Sequence, residues 1–107
     1  MKGWKQAYTP CRRFVVLVEL DIPEDASVSH LPKYGLTKDI WITDKAKVVS
    51  VTSLDGKHSV PEAVSMKSLD FKYEVGKMVV AEKDRSLGNR PGIYFFKTKE
   101  QAQKYQF

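Results

Sequence analysis

One cysteine, Cys11, and two histidines, His30 and His58, are all this chain holds of the residue types that most often bind metals or activate nucleophiles. A lone thiol excludes an internal disulfide. Neither histidine stands at metal-ligand spacing from the other or from Cys11, so no zinc or iron site is expected. Long apolar runs are missing too. None approaches the roughly 20 residues a membrane helix needs. The opening Met1-Lys2-Gly3-Trp4-Lys5 is basic but leads into Gln6-Ala7-Tyr8, without the apolar stretch of a secretory leader. A cytoplasmic protein is therefore expected, with no membrane partner. Glycine-rich phosphate loops are absent: there is no P-loop and no G-x-G-x-x-G. Gly88 and Gly92 flank Asn89-Arg90-Pro91 and are explained by a turn. Serine, histidine and aspartate occur without a nucleophile elbow or comparable frame. Glu24 and Asp25 read as turn residues. No cofactor is called for, and an enzyme is not the expectation.

What is present describes a folded domain. The 107 residues leave room for one domain and one core, and 42% hydrophobic with 29% charged residues is the balance of a folded chain. The net charge of +5 favours an anionic partner through long-range attraction, although the same excess also serves solubility.

The stretch from Phe71 to Tyr105 organises the rest. Phe71, Tyr73 and Val75 alternate with Lys72 and Glu74, as in a strand with one buried face. Gly76 breaks the run, and Met78 to Val80 offers a second short strand. Ile93 to Phe96 is apolar throughout, too short for a helix and rich in β-formers. Thr98 followed by Gln101 is a capping box that opens a helix, with Ala102 and Tyr105 on its inward face. Earlier in the chain, Phe14 to Leu20 is apolar on both faces until Glu19 and reads as a central strand. Residues 27 to 38 read as a loop or short helical turn. Ile40-Trp41-Ile42 is a short apolar triplet. Ala46 to Leu54 reads as a long strand, and Asp55-Gly56 as a two-residue hairpin turn. The return strand spans about His58 to Met66, and Pro61 within it suggests an edge position. These elements predict an α+β fold: a small, mainly antiparallel sheet with a C-terminal helix packed on it.

In this order the segments resemble a small domain family of unknown function found in short phage and bacterial proteins and beside pentapeptide repeats. The matching pieces are G-W-K at Gly3 to Lys5, V-L-V-E-L-D-I-P-E-D-A at Val16 to Ala26, and D-K-A-K-V at Asp44 to Val48. F-K-Y-E-V-G-K at Phe71 to Lys77 and G-I-Y-F-F-K-T-K-E-Q-A at Gly92 to Ala102 complete the set. Many members carry a Cys just before the Gly-Ile pair and a His after it. Asn89 and Tyr94 stand in those places here, so the resemblance implies no metal or thiol role for this chain. It implies one compact domain and supplies no activity or catalytic residues.

Three constellations remain as candidates. Cys11 has Arg12 and Arg13 beside it, and cations favour the thiolate; the plainer reading is a structural cysteine at a strand entry. The second is the basic loop before the helix: Arg85, Asn89 and Arg90, followed by Lys97, Thr98 and Lys99 at the helix start. A helix N-terminus suits a phosphate, and arginine adds bidentate contacts. Alternatively, Thr98 only caps its own helix and the cations form a solvated face. The third sets Trp4, Tyr8, Tyr34, Trp41, Tyr94 and Phe107 among Arg12, Arg13, Lys33 and Lys38, for stacking on bases with phosphates held by cations. Trp41 and Tyr94 are more simply core residues. Tyr34, beside Lys33, is the best stacking candidate.

The function these patterns favour is a non-catalytic binding module for a small anionic ligand, such as a nucleotide or cyclic nucleotide, acting by sequestration or sensing. A homo-oligomer would help so small a domain enclose a ligand. The alternative is a protein-interaction or inhibitor module that adds its edge strand to a partner. A nucleic-acid-binding domain, with steep salt dependence, comes third.

Overall fold

Strand formation in this chain follows its alternating residues, and the computed structural model describes residues 1–31, 40–65, 72–80 and 93–104. β1 (Lys2–Tyr8) and β2 (Val15–Asp21) form a full antiparallel hairpin with Lys5 opposite Val18. β3 (Val28–Leu31) pairs with β4 (Ile40–Thr43), so residues 28–31 form a strand where a loop or helical turn was expected. The turn-forming residues lie just outside that pair. The backbone N–H of Ser27 donates to Asp44 Oδ1 at 2.8 Å, and the Asp44 N–H returns to the Ser27 carbonyl at 3.2 Å.

β5 (Lys45–Ser53) lies on the far side of β2 and carries a bulge. Ser50 faces Glu19 and Val48 faces Leu20, which leaves Val49 as the extra residue. The turn after β5 is longer than the two residues predicted. The Gly56 N–H donates to the Ser53 carbonyl, and Ser53 and His58 close the loop through the Ser53 N–H. Only Gly56 of the Asp55-Gly56 pair takes a positive φ, +77°. Asp55 instead accepts from the Ser53 hydroxyl and the Lys57 N–H.

The chain then leaves β5 at Pro61 and enters β6 (Glu62–Val64), which lies between β1 and β7 (Lys72–Glu74). The expected edge position of this segment is therefore overturned. Pro61 marks a crossover between partners, where a missing N–H is not needed, and its carbonyl accepts from Val75 at 3.1 Å. β8 (Met78–Val80) pairs with the start of β5. The six-stranded order is β7-β6-β1-β2-β5-β8. Its two end strands, β7 and β8, are joined by residues 75–77 alone, so the sheet must curl back on itself. Gly76, at φ +87°, makes that bend and donates to the Val48 carbonyl at 2.8 Å. Val75 sits in this bend and is exposed, against the expectation that it shares a buried face with Tyr73.

β9 (Ile93–Phe95) pairs with β4 to complete a three-stranded sheet, β3-β4-β9. Phe96 stitches the two sheets together by exchanging backbone hydrogen bonds with Trp4 at 2.9 and 2.7 Å. The main core lies between the sheets: Val16, Val18, Leu20, Val48, Val51, Tyr73, Ile93 and Phe95 are all buried there. The opposite face of β1 and β2 is covered by α1 (Lys99–Lys104), through Leu17, Phe96 and Ala102 with Trp4 at the rim. Buried Gln6 fixes this docking by donating to the Ala102 carbonyl at 2.8 Å and the Gln103 carbonyl at 3.3 Å. The architecture is thus mostly antiparallel sheet with a short C-terminal helix. That helix is smaller than the capping-box reading implied, and Tyr105 falls outside the described residues.

Candidate functional site

Of the basic loop, Arg85, Asn89 and Arg90 lie outside the described residues, as do Lys33 and Tyr34. Lys97, Thr98 and Lys99 are described, and each is engaged locally. The Gln101 N–H donates to Thr98 Oγ1 at 3.2 Å, so the threonine serves as the cap of its own helix. That helix is six residues, under two turns, and offers little macrodipole for a phosphate. Lys97 turns its ammonium over the Trp41 ring, 3.8 Å from the centroid. Lys99 reaches toward the Gly56 turn.

Trp41 is half-buried, packs on the main core and also carries the His30 ring, 4.4 Å away and inclined by 22°. His30, Trp41 and Lys97 thus meet at one partly exposed spot, built by cross-strand pairing of β3 with β4 and by the residues following β9. His30 had been placed in a loop. The signal that could have found it is the alternation of Val28 and His30 on one face.

Arg12 and Arg13 sit in the β1–β2 turn, at the end of β1 away from Trp4 and Phe96. About five residues of strand, roughly 17 Å, separate Trp4 from Thr9, so these arginines do not join the Lys97 group. Arg12 has φ +62° and donates its N–H to the Thr9 carbonyl at 2.7 Å. Cys11 is exposed in the same turn. Its thiol titrates below its ordinary range, first because of the Thr9 hydroxyl 3.2 Å away and then because of the Arg13 backbone; the Arg13 charge contributes least. The cause is therefore mainly hydrogen bonding, where neighbouring charge had been expected.

Ser53, Asp55 and His58 cluster in the turn after β5, but their links are those of a turn. The Ser53 hydroxyl meets Asp55, and His58 reaches Ser53 through its backbone, its N–H donating to the Ser53 hydroxyl at 3.1 Å and its carbonyl accepting from the Ser53 N–H at 2.8 Å. Among the described residues no group of three or more His, Cys, Asp or Glu side chains gathers as a metal site. No helix among them is long and apolar enough to cross a membrane.

Two features escaped the sequence reading. The first is Lys5. Gly3, Lys5 and Ala7 occupy the face of β1 that points into the main core, opposite Leu20, Val18 and Val16. Lys5 Nζ donates to the Tyr73 hydroxyl at 2.7 Å. Taken as a whole residue Lys5 keeps some solvent contact, but its ammonium, the group that titrates, lies enclosed by protein. Loss of hydration pushes its pKa down to about 8. Burial pushes the Tyr73 phenol up, with Ser65 hydrogen-bonding to it and pulling the other way.

The second feature is the edge of the larger sheet at β8. The Val48 N–H donates to the Lys77 carbonyl at 3.0 Å, which sets the alternation of the ladder. Lys77 and Val79 face β5, and Met78 and Val80 turn their N–H and C=O groups outward. Their side chains are exposed as well, Met78 by 51% and Val80 by 61%, with exposed Val49 and Val75 beside them. Val79 between them is buried. Phe14, exposed in the β1–β2 turn, stands apart from this group.

No curated protein and no solved structure matches the chain. Across residues 1–102 the match is to a family of unknown function, DUF5758, and the chain belongs to that family.

Proposed function

We propose that this chain is a non-catalytic interaction module that receives an extended protein segment along the outer edge of β8. The observation that carries this reading is that β8 ends the larger sheet among the described residues, with exposed Met78 and Val80 on that same short strand. Edge strands are ordinarily protected by charge, proline or bulges, because open N–H and C=O groups recruit other strands. Here the bulge at Val49 lies on β5 and adds apolar surface instead of shielding the edge. Exposed apolar groups beside such an edge favour strand addition, with backbone bonds giving affinity and side chains giving selectivity. An inhibitor that occupies its target in this way needs no catalytic frame. A phage or bacterial setting, as the sequence resemblance suggests, would suit such a role.

A photo-crosslinking amino acid placed at position 78 in cells tests the reading. It is expected to trap a discrete protein that the same probe at exposed Ser29 does not trap. Val80→Pro removes an outward N–H while leaving the β5 ladder intact, so it should abolish the product. Equal products from both positions, or a product indifferent to Val80→Pro, would contradict it.

A second reading keeps the small anionic ligand, a nucleotide or cyclic nucleotide, held by sequestration or sensing. His30 and Lys97, both exposed and meeting at Trp41, favour it together with the net charge of +5. It ranks lower because the Trp41 ring already carries both groups. Heat from titration with a nucleotide panel, lost in Lys97→Ala, would raise it above the first; no heat would sink it. Nucleic-acid binding remains the third proposal, resting on the basic balance alone.

A further inference from the structure

We infer that the β1–β2 turn is a contact site for single-stranded nucleic acid, in which a base stacks on Phe14 while Arg12 and Arg13 meet adjoining phosphates. The inference does not rest on the β8 reading. The turn lies where β2 meets the end of β5, and β8 pairs with the start of β5.

The sequence placed Phe14 at the head of a central strand. β2 instead begins at Val15, and Phe14 is left in the turn, 65% exposed, the highest value among the large hydrophobic residues described. Pro10 to Phe14 are all exposed, yet their backbone is held. The Thr9 N–H donates to the Phe14 carbonyl at 2.9 Å, and the Thr9 hydroxyl accepts from the Phe14 N–H at 3.3 Å. The Thr9 carbonyl takes the Arg12 N–H, with Arg12 in the left-handed region. The side chains are uncommitted by contrast. Among the described residues the Phe14 ring stacks on no other ring and carries no cation. Neither guanidinium has an ion pair or a hydrogen bond there. Acids on the neighbouring elements do not answer them. Residues 1 to 18 contain no Asp or Glu. Asp55, in the turn beside this one, accepts from the Ser53 hydroxyl and the Lys57 N–H, and Glu62 on β6 forms no ion pair.

An isolated exposed phenylalanine is ordinary on a protein surface. A free aromatic face held beside two unanswered guanidiniums is the pairing that single strands use, a platform for a base and cations for the backbone. Arginine adds planar, bidentate contact to phosphate oxygens, and a turn already ordered lowers the cost of binding. A duplex keeps its bases stacked on one another, so Phe14 would find no partner there. A membrane surface asks for more, since stable anchoring takes two signals. Phe14 is the one large apolar side chain exposed in this turn.

The test is fluorescence anisotropy of a labelled oligothymidylate of about twelve nucleotides with the full chain, over a range of salt concentrations. Log affinity should fall against log salt with a slope of about −1.4, for two phosphates at about 0.7 each. Arg12→Asn, which tolerates the left-handed backbone, and Arg13→Gln should each reduce that slope by about 0.7. Phe14→Ala should weaken binding about tenfold at every salt concentration and leave the slope unchanged. The same strand annealed to its complement should bind more weakly and should not respond to Phe14→Ala. Binding that is indifferent to Phe14→Ala, or a duplex bound as tightly as the single strand, would reduce the turn to charge attraction and overturn the inference. Absence of binding at low salt would overturn it too. Phosphatidylserine vesicles that bind through Phe14 when the oligonucleotide does not would make a lipid surface the partner, and would overturn it as well.

Discussion

Replacing Lys5 with methionine will stabilise the fold at pH 7 by about 2 kcal/mol, and the gain will fall away as the pH rises from about 8 past 10.5. Methionine matches the lysine stem in length, and Tyr73 keeps its hydrogen bond to Ser65. The direction follows from the lysine's titration. Its pKa is about 8 in the fold against 10.5 ordinarily. Below pH 8 both folded and unfolded chains hold the proton, and the fold bears the whole desolvation cost. Between 8 and 10.5 the unfolded chain binds more protons than the folded one, so stability rises with pH. Above that window neither state holds the proton and the cost is gone. The full cost is near 3 kcal/mol for a shift of this size, and the Tyr73 hydroxyl and residual solvent contact reduce what methionine recovers. Tyr73 acts in the opposite sense above pH 10, where the unfolded phenol ionises before the folded one and stability falls again. Urea unfolding of both proteins at several pH values from 7 to 10 checks this. A Lys5→Met protein less stable than the parent at pH 7 would mean that the ammonium is a net support of the core.

Gly3→Ala will destabilise the chain by about 3 kcal/mol, at the upper end of what core overpacking costs. Gly3 faces the main core on β1, directly under Phe95. A methyl group there would sit inside contact distance of Phe95 Cδ2, 2.9 Å from Cγ and 3.0 Å from Ile22 Cδ1. Phe95 is fully buried and Ile22 nearly so, which leaves the ring little room to retreat. Phe95→Leu alone will also destabilise, by opening a cavity. Combined with Gly3→Ala it should recover part of the loss, so the two effects will be strongly non-additive in a denaturation cycle. Simple additivity would show that the ring does not rest on Gly3.

How much of this was legible in the sequence depended on whether a residue's partner lay nearby. The Phe14–Leu20 run announced a central strand because both of its faces are apolar, and β2 indeed has the main core on one face and Leu17 under the helix on the other. Ile93 to Phe96 and the Thr98 cap were equally plain, since their determinants are local. Lys5 was not. In Gly3-Trp4-Lys5-Gln6-Ala7-Tyr8 the aromatic row looks like the buried one, yet it is the row of Gly3, Lys5 and Ala7 that enters the main core. Only the curl of the sheet, which brings Tyr73 round to Lys5, gives that lysine an acceptor. Pro61 misled for a related reason. A proline within a strand pattern suggests an edge, but here it sits where the chain changes partners, and among the described strands β7 and β8 end the larger sheet. The anion site was read from helix-start chemistry without knowing the helix's length. Three of its six residues fall outside the described residues, and Lys97 and Thr98 are engaged with Trp41 and with the cap.

Docking at β8 requires its outer row to be open in the free protein, and amide hydrogen exchange resolved by NMR tests that most directly. The Met78 and Val80 amides should exchange fast, while Val79, bonded to β5 and buried between them, should be protected. Protection of Met78 and Val80 equal to that of Val79 would mean that the edge is already filled, and an incoming strand would have no place to bind.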